Sequence, residues 1–344
     1  MVECLELVTL LCLVLQLVVC SVASNGYPLG VNLGPTYITA AYVNGDDQAI
    51  PLVKIEGPSA YQEHMKQLLA DSARRAYIAG RLHIKEDDTW VPAPESALSY
   101  PSDKADLITS LLQQAQDQAA QYLHRPINIT ALGIPVGLDS IAEYHLKHTA
   151  LEATSMQFIW HASRYLDAVR RAYGLNTCAA FGHPEGCILL NEDNCIFFVD
   201  LNCDGLVNLW VSYVADYAVD INEEQHATYN MSAYAHGEGG GQSDSQELSE
   251  FFQKFIEKKI PSSMGEDLRA VILSGEASET EMFALEQAVY HALPENWRSL
   301  LRAEIDPFYV AAIGTARRAK LQLDDPAFQR EDDNLFDLGG HDEL

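Results

Sequence analysis

Positive charge is scarce in this chain: 22 lysines and arginines stand against 49 aspartates and glutamates, a formal charge of −27. No basic face is left for a polyanion, so neither nucleic acid nor anionic lipid is an expected partner. The acidity itself reads as solubility in a crowded compartment. Long apolar runs are equally scarce. One runs from Leu7 to Val22 with Gln16 as its only strongly polar residue, and no later segment is apolar enough to span a bilayer. Small residues at Ser21-Val22-Ala23 follow that run, which predicts a signal peptide over residues 1–24. Its n-region carries Glu3 and Glu6 and no Lys or Arg, so an uncleaved anchor is the alternative. Either way the body is expected in the lumen, with no stable membrane insertion after cleavage. Cleavage removes two acids and no base, leaving a charge of −25 (27 minus 2). The chain ends in His341-Asp342-Glu343-Leu344, an address read by a retention receptor of the endoplasmic reticulum.

No CxxC clasp occurs among the seven cysteines, which argues against a zinc site. Cys4, Cys12 and Cys20 leave with the signal. Cys178, Cys187, Cys195 and Cys203 remain, an even number that allows three disulfide pairings in an oxidising compartment. The turn-rich run Phe181-Gly182-His183-Pro184-Glu185-Gly186 favours joining Cys178 to Cys187. Asn128-Ile129-Thr130 and Asn230-Met231-Ser232 are glycosylation sequons.

The body, 344 residues with its signal, is long enough for two packed lobes. Val31 and Leu33, a turn at Gly34-Pro35, and Tyr37 to Val43 predict a β-hairpin closed by Asn44-Gly45. Helices are expected from Ser59, from Ser102 or Asp103 to Leu123, from Ser140 towards Glu152, and from Tyr165 to Tyr173. Between the second and third of these, Ile129 to Val136 reads as a strand. The pattern then starts again. Cys195 to Leu201 is an apolar strand, Asn202-Cys203-Asp204-Gly205 a turn, and Leu206 to Val214 a returning strand. The polar stretch 222–246 reads as a flexible loop, because its glycine run at 237–241 lacks the lysine of a phosphate loop. A helix to Lys259, a strand from Leu268 broken at Ser274-Gly275, a helix over Glu279 to Ala292 and a last helix over Pro307 to Leu321 complete the body.

These pieces, in this order, resemble the ATPase core of the heat-shock protein 70 chaperones and, more distantly, the actin fold. Gly30-Val31-Asn32-Leu33-Gly34-Pro35-Thr36-Tyr37 resembles the family's first phosphate hairpin, where an Asp and a Thr-Thr pair stand in place of Asn32 and Pro35-Thr36. Val199-Asp200-Leu201-Asn202-Cys203-Asp204-Gly205 is similar to the second hairpin, with its aspartate kept and its glycine run lost. Tyr122-Leu123 to Leu132-Gly133-Ile134-Pro135 resembles the helix and strand that lead into the family's first lobe connection, and Ala168 to Gly174 resembles the second connection. Val271-Ile272-Leu273-Ser274-Gly275 is similar to the adenosine-binding strand and turn, and Ala311 to Ala319 to the closing helix.

The resemblance covers residues 27 to 321. It implies an α/β, two-lobed actin-like ATPase (ribonuclease H-like) fold with mixed sheets flanked by helices. Lobe I would comprise residues 25–180 and 306–322, a reduced lobe II residues 181–305, and an acidic tail residues 323–344. Nothing after Leu321 could form the family's substrate-binding domain. It further implies a nucleotide site at Gly30, Asn32, Gly34, Thr36, Tyr37, Asp200, Gly205, Ser274 and Gly275, for ATP or ADP with Mg²⁺ on Asp200. The departures weaken that site, so a cofactor-free form is the other expectation. Asn32 is neutral, Pro35 has no N–H to offer, and Asn202-Cys203-Asp204 brings side chains and a carboxylate to a phosphate turn. Lys54 and Lys85 stand in for the catalytic lysine by position only, and no catalytic residue is assigned. The expected function is a degenerate ATPase core with a binding, chaperone-accessory or regulatory role towards lumenal chaperones or client proteins. An active ATP-dependent chaperone ATPase and, more remotely, a sugar kinase of the same fold are the alternatives.

Overall fold

The computed structural model describes residues 27–81, 102–215, 219, 226–231, 242–260 and 267–324. The signal segment, Lys85, the glycine run at 237–241 and the terminus His341 to Leu344 lie outside the described residues. Strands β1 (Tyr27–Leu33) and β2 (Tyr37–Val43) form the expected antiparallel hairpin, with Leu33 opposite Ile38. Asn44 turns the chain onward, its Oδ1 accepting from the backbone N–H groups of Asp46 and Gln48 at 2.9 Å each. A third antiparallel strand follows, β3 (Ala49–Glu56), which the sequence reading did not anticipate.

Helices α1 (Ser59–Arg81) and α2 (Ser102–Leu123) lead to β4 (Ile127–Ile134), which lies parallel to β1. Helix α3 (Ser140–Ala153), capped by the Asp139 carboxylate, leads to the short β5 (Ala162–Arg164), parallel to β4. Helix α4 (Tyr165–Ala172) comes next. The first sheet therefore has the order β3-β2-β1-β4-β5.

The second half repeats this plan. Strands β6 (Cys195–Leu201), β7 (Leu206–Tyr213) and β8 (His226–Asn230) form an antiparallel meander. Helix α5 (Gln242–Lys259) precedes β9 (Leu268–Gly275), parallel to β6. Helix α6 (Glu279–Ala292) precedes β10 (Leu301–Arg302), parallel to β9, and α7 (Val310–Asp324) ends the described chain. The order β10-β9-β6-β7-β8 is the first sheet's order over again, strand for strand and direction for direction. The chain is thus α/β, with two mixed five-stranded sheets flanked by helices.

One expectation fails here. The polar stretch 222–246 is not a loop throughout, because His226–Asn230 pairs with β7 and α5 begins at Gln242. Its backbone is satisfied by the ladder while its side chains alternate between exposed and half-buried, so little hydrophobicity is required of it.

Alternation decides which face of each sheet goes where. Leu29, Val31 and Leu33 of β1 pack outward with Met65 of α1, Ile108 and Leu112 of α2, and Leu146 of α3. Phe197, Val199 and Leu201 of β6 pack outward with Phe252 of α5 and Leu285 of α6. Between the sheets lie α4 and α7, whose Val169, Ala312 and Ala316 meet Ala41 of the first sheet and Ile196, Phe198 and Ile272 of the second. Each fully buried large side chain contributes about 1.5–3 kcal/mol. Small residues let this middle layer sit close. A side chain on Gly30 would strike the α7 backbone at Ala316, and one on Gly314 would strike the carbonyl of Ala168 on α4.

Cys178 and Cys187 form a disulfide, with Cα atoms 5.8 Å apart. Cys195 is a buried free thiol and Cys203 an exposed one. Asn128 is half-buried in an inner strand, whereas Asn230 is exposed at the end of the β8 edge strand. Among the described residues, no helix is long and apolar enough to cross a membrane.

Candidate functional site

The duplication gives Asn32 and Asp200 the same address. Each sits one residue before the last of its sheet's first strand, and each points towards the middle layer. Across from Asn32 are Thr39 on β2 and Gly133 on β4, and Ser163 pairs with Gly133 in turn. Across from Asp200 are Asn208 on β7 and Ser274 on β9. Asn32, Thr39 and Ser163 are buried, and Asn32 Oδ1, Thr39 Oγ1 and Ser163 Oγ have no hydrogen-bond partner among the described residues. The first row is therefore polar but uncharged. The second carries the acid.

Asp200 is held by hydroxyls. Its Oδ1 accepts from Tyr165 Oη at 2.6 Å and Ser274 Oγ at 3.2 Å. Desolvation pushes its carboxyl up to about 6, against the two hydrogen bonds that favour the anion. Tyr165, at the start of α4, is raised well above its ordinary value by burial and by the Asp200 charge. Nothing in the residues around Tyr165 marks it as a site residue, since it reads there only as the start of a helix.

The turns beyond these strands meet each other. Thr36 Oγ1 and Cys203 Sγ lie 2.7 Å apart and are joined by a hydrogen bond. Every predicted phosphate donor described in the two turns already has an internal acceptor. Gly34 N donates to the Tyr37 carbonyl at 2.9 Å, and Pro35 has no N–H. Thr36 N and Tyr37 N donate to the two oxygens of Glu276 at 2.9 and 3.3 Å. In the second turn Asn202 Oδ1 accepts from Asp204 N at 3.1 Å and Leu206 N at 2.9 Å, and the Asn202 carbonyl accepts from Gly205 N at 3.1 Å. An asparagine at that place builds its own Asx turn and takes the Asp204, Gly205 and Leu206 amides that a bare turn would leave open.

Glu276 comes from the strand end flagged by Ser274-Gly275. Gly275 adopts φ +136°, and a side chain there would strike the Leu201 carbonyl. That close approach lets Glu276 N donate to Leu201 O at 2.9 Å and turns the glutamate across to the first hairpin. Gly34 leaves room for it, since a β-carbon there would meet Glu276 Oε1. Burial pushes the Glu276 carboxyl up to about 8, and Asp200 adds to the rise, while the N–H groups of Thr36 and Tyr37 oppose it.

Neither a known family profile nor a curated protein sequence matches this chain.

No group of three or more His, Cys, Asp or Glu side chains could hold a metal ion among the described residues. Asp200 offers one carboxylate, tied to two hydroxyls. Lys54 lies over the rings of Phe308 and Tyr37, 3.0 and 4.9 Å from their centroids, and so is engaged with aromatics. A triphosphate does not fit this arrangement: the amides of Gly34, Thr36, Tyr37, Asp204, Gly205 and Leu206 already donate within the chain, and the acids Asp200, Asp204 and Glu276 stand at the two turns where its phosphates would lie. A shallow depression of about 750 Å³ lies elsewhere, on α2 beside Asp106, Gln113 and Asp117.

Proposed function

We propose that the chain is a degenerate core of the actin-like ATPase fold, related to the heat-shock protein 70 ATPase and acting by binding rather than by turnover. The supporting observation is the duplicated sheet order with α4 and α7 between the sheets, each repeat running through three antiparallel strands, helix (two helices in the first repeat, one in the second), strand, helix, strand and helix, which sets Val31-Asn32-Leu33 and Val199-Asp200-Leu201 at equivalent places. Function in such a core comes from how its two halves are held. Here they are held closed by protein groups, through Thr36 with Cys203 and through Glu276 with Thr36 and Tyr37. The role is that of an accessory or regulatory protein towards lumenal chaperones or their clients. The apolar N-terminal segment and the His341-Asp342-Glu343-Leu344 motif support a lumenal site of action, with the retention receptor as a partner.

Two measurements test the reading. The lumenal chain should show no steady ATP turnover and little change in melting temperature with Mg-ATP or Mg-ADP, whereas a ligand at a hundred times its Kd would stabilise it by about 2.7 kcal/mol. Turnover at a chaperone-like rate, lost on Asp200→Asn, would replace this reading with an active ATPase. In cells, removing His341 to Leu344 should release the protein into the medium. Cytosolic fractionation of the full chain would end the lumenal assignment.

A further inference from the structure

The contact between Glu276 and the first hairpin has the form of a bound ligand. Two successive backbone N–H groups at a tight turn make a small anion-binding concavity, and the carboxylate puts one oxygen on each. The carboxylate arrives from the other sheet, 240 residues along the chain from Thr36. It passes through a glycine at positive φ and enters a space that the missing side chain of Gly34 leaves open. The groups that act on it electrostatically include Asp200 on β6, with Tyr37 on β2, Tyr165 on α4 and Cys203 in the second turn beside it. Each of these is acidic when it ionises, whereas Glu276 accepts from the backbone N–H groups of Thr36 and Tyr37. The protein has set a carboxyl group into an acidic neighbourhood, where the hairpin amides favour its ionised form against burial and Asp200.

We infer that Glu276 is an internal ligand of the first hairpin, a clasp that shuts the cleft between the two sheets and excludes external anions from the Thr36 and Tyr37 amides. The inference rests on the reading of these turns as a degenerate phosphate site, and it names what keeps that site closed. A carboxylate anchored to the same chain competes at high effective concentration, so an external anion gains access only once the clasp is removed.

The test compares the full lumenal chain with Glu276→Ala, Glu276→Gln and Gly34→Ala. Gly34→Ala offers a second route, because it displaces the carboxylate without deleting it. Amide exchange at Thr36 and Tyr37 should accelerate by about tenfold or more in Glu276→Ala and in Gly34→Ala, and by less in Glu276→Gln, whose side-chain oxygen still accepts. Amides in the middle of β6 and β9 should keep their protection. Inorganic phosphate should raise the melting temperature of Glu276→Ala and not that of the wild type. Unchanged exchange at Thr36 and Tyr37 in both variants, or a wild type that responds to phosphate as strongly as Glu276→Ala, overturns the clasp. The two readings separate cleanly. A Glu276→Ala protein that responds to phosphate but no better to Mg-ADP upholds the clasp and counts against a nucleotide site.

Discussion

Asp167 on α4 faces three buried guanidinium groups, with Arg170 Nη2 at 2.7 Å, Arg171 Nε at 2.9 Å and Arg318 Nη1 of α7 at 3.7 Å. Burial raises its carboxyl, but Arg171, Arg170 and Arg318 outweigh that and hold it well below the usual carboxylate range. Burial and the neighbouring Arg171 in turn draw Arg318 down to about 10. The sign of the pH dependence follows. A depressed folded pKa gives stability that is fully present above the unfolded value of about 3.9 and is lost as pH falls through the folded value. Asp167→Asn should therefore cost about 3–5 kcal/mol at neutral pH, because it leaves buried cations without their carboxylate. It should also flatten the loss of stability between about pH 4 and pH 2. Urea unfolding across that range checks both, and an unchanged midpoint at pH 7 would contradict them. None of this was visible in the sequence, where Asp167, Arg170 and Arg171 look like an ordinary charged helix face. Glu276 escaped notice for a related reason: only the fold sets it beside Thr36, and its one local sign is an acid directly after a strand-ending glycine.

Elements with strong local signals were legible. The hairpin β1-β2, the run β6-turn-β7 and the starts of all seven described helices follow from apolar periodicity and capping residues, with α5 beginning three residues before the expected Ser245 and α7 three after the expected Pro307. Strands β3, β5, β8 and β10 were not anticipated, for physical reasons. β5 and β10 are three and two residues long and exist through parallel pairing with β4 and β9. β3 carries Pro51 and β8 is polar, both being tolerated because each is the last strand of its sheet. Helix α6 shows the opposite case, a boundary written into the residues. Ser278 Oγ accepts from Glu281 N at 3.4 Å while Glu281 Oε2 accepts from Ser278 N at 2.9 Å, a reciprocal capping box. Ser278→Ala should destabilise the protein by about 1 kcal/mol, with Ser278→Gly costing only a few tenths. Chemical denaturation of the two variants would show equal midpoints if the cap contributed nothing.

The middle layer makes one folding unit of the two repeats. Each sheet alone would expose an apolar inner face: Ala41 and Val43 on the first, Ile196, Phe198, Ala270 and Ile272 on the second. Both faces are covered by the same two helices. Helix α4 is supplied by the first repeat and α7 by the second, yet α7 packs on β1, β2 and β4 of the first sheet as well as on α4. Deleting α7 therefore uncovers the repeat that did not encode it. A chain ended after Asp306 should lose the cooperative unfolding transition of both sheets together, including the signal from Trp210 on β7 and protection of β1 amides far from the cut. A chain ended after Asp324 should keep a single transition. Differential scanning calorimetry with amide exchange distinguishes the outcomes. If the shorter chain melted cooperatively with β1 still protected, the sheets would be independent domains and the shared layer only a contact between them. A single transition in the longer chain, lost throughout in the shorter one, is what a closed core held from its middle requires.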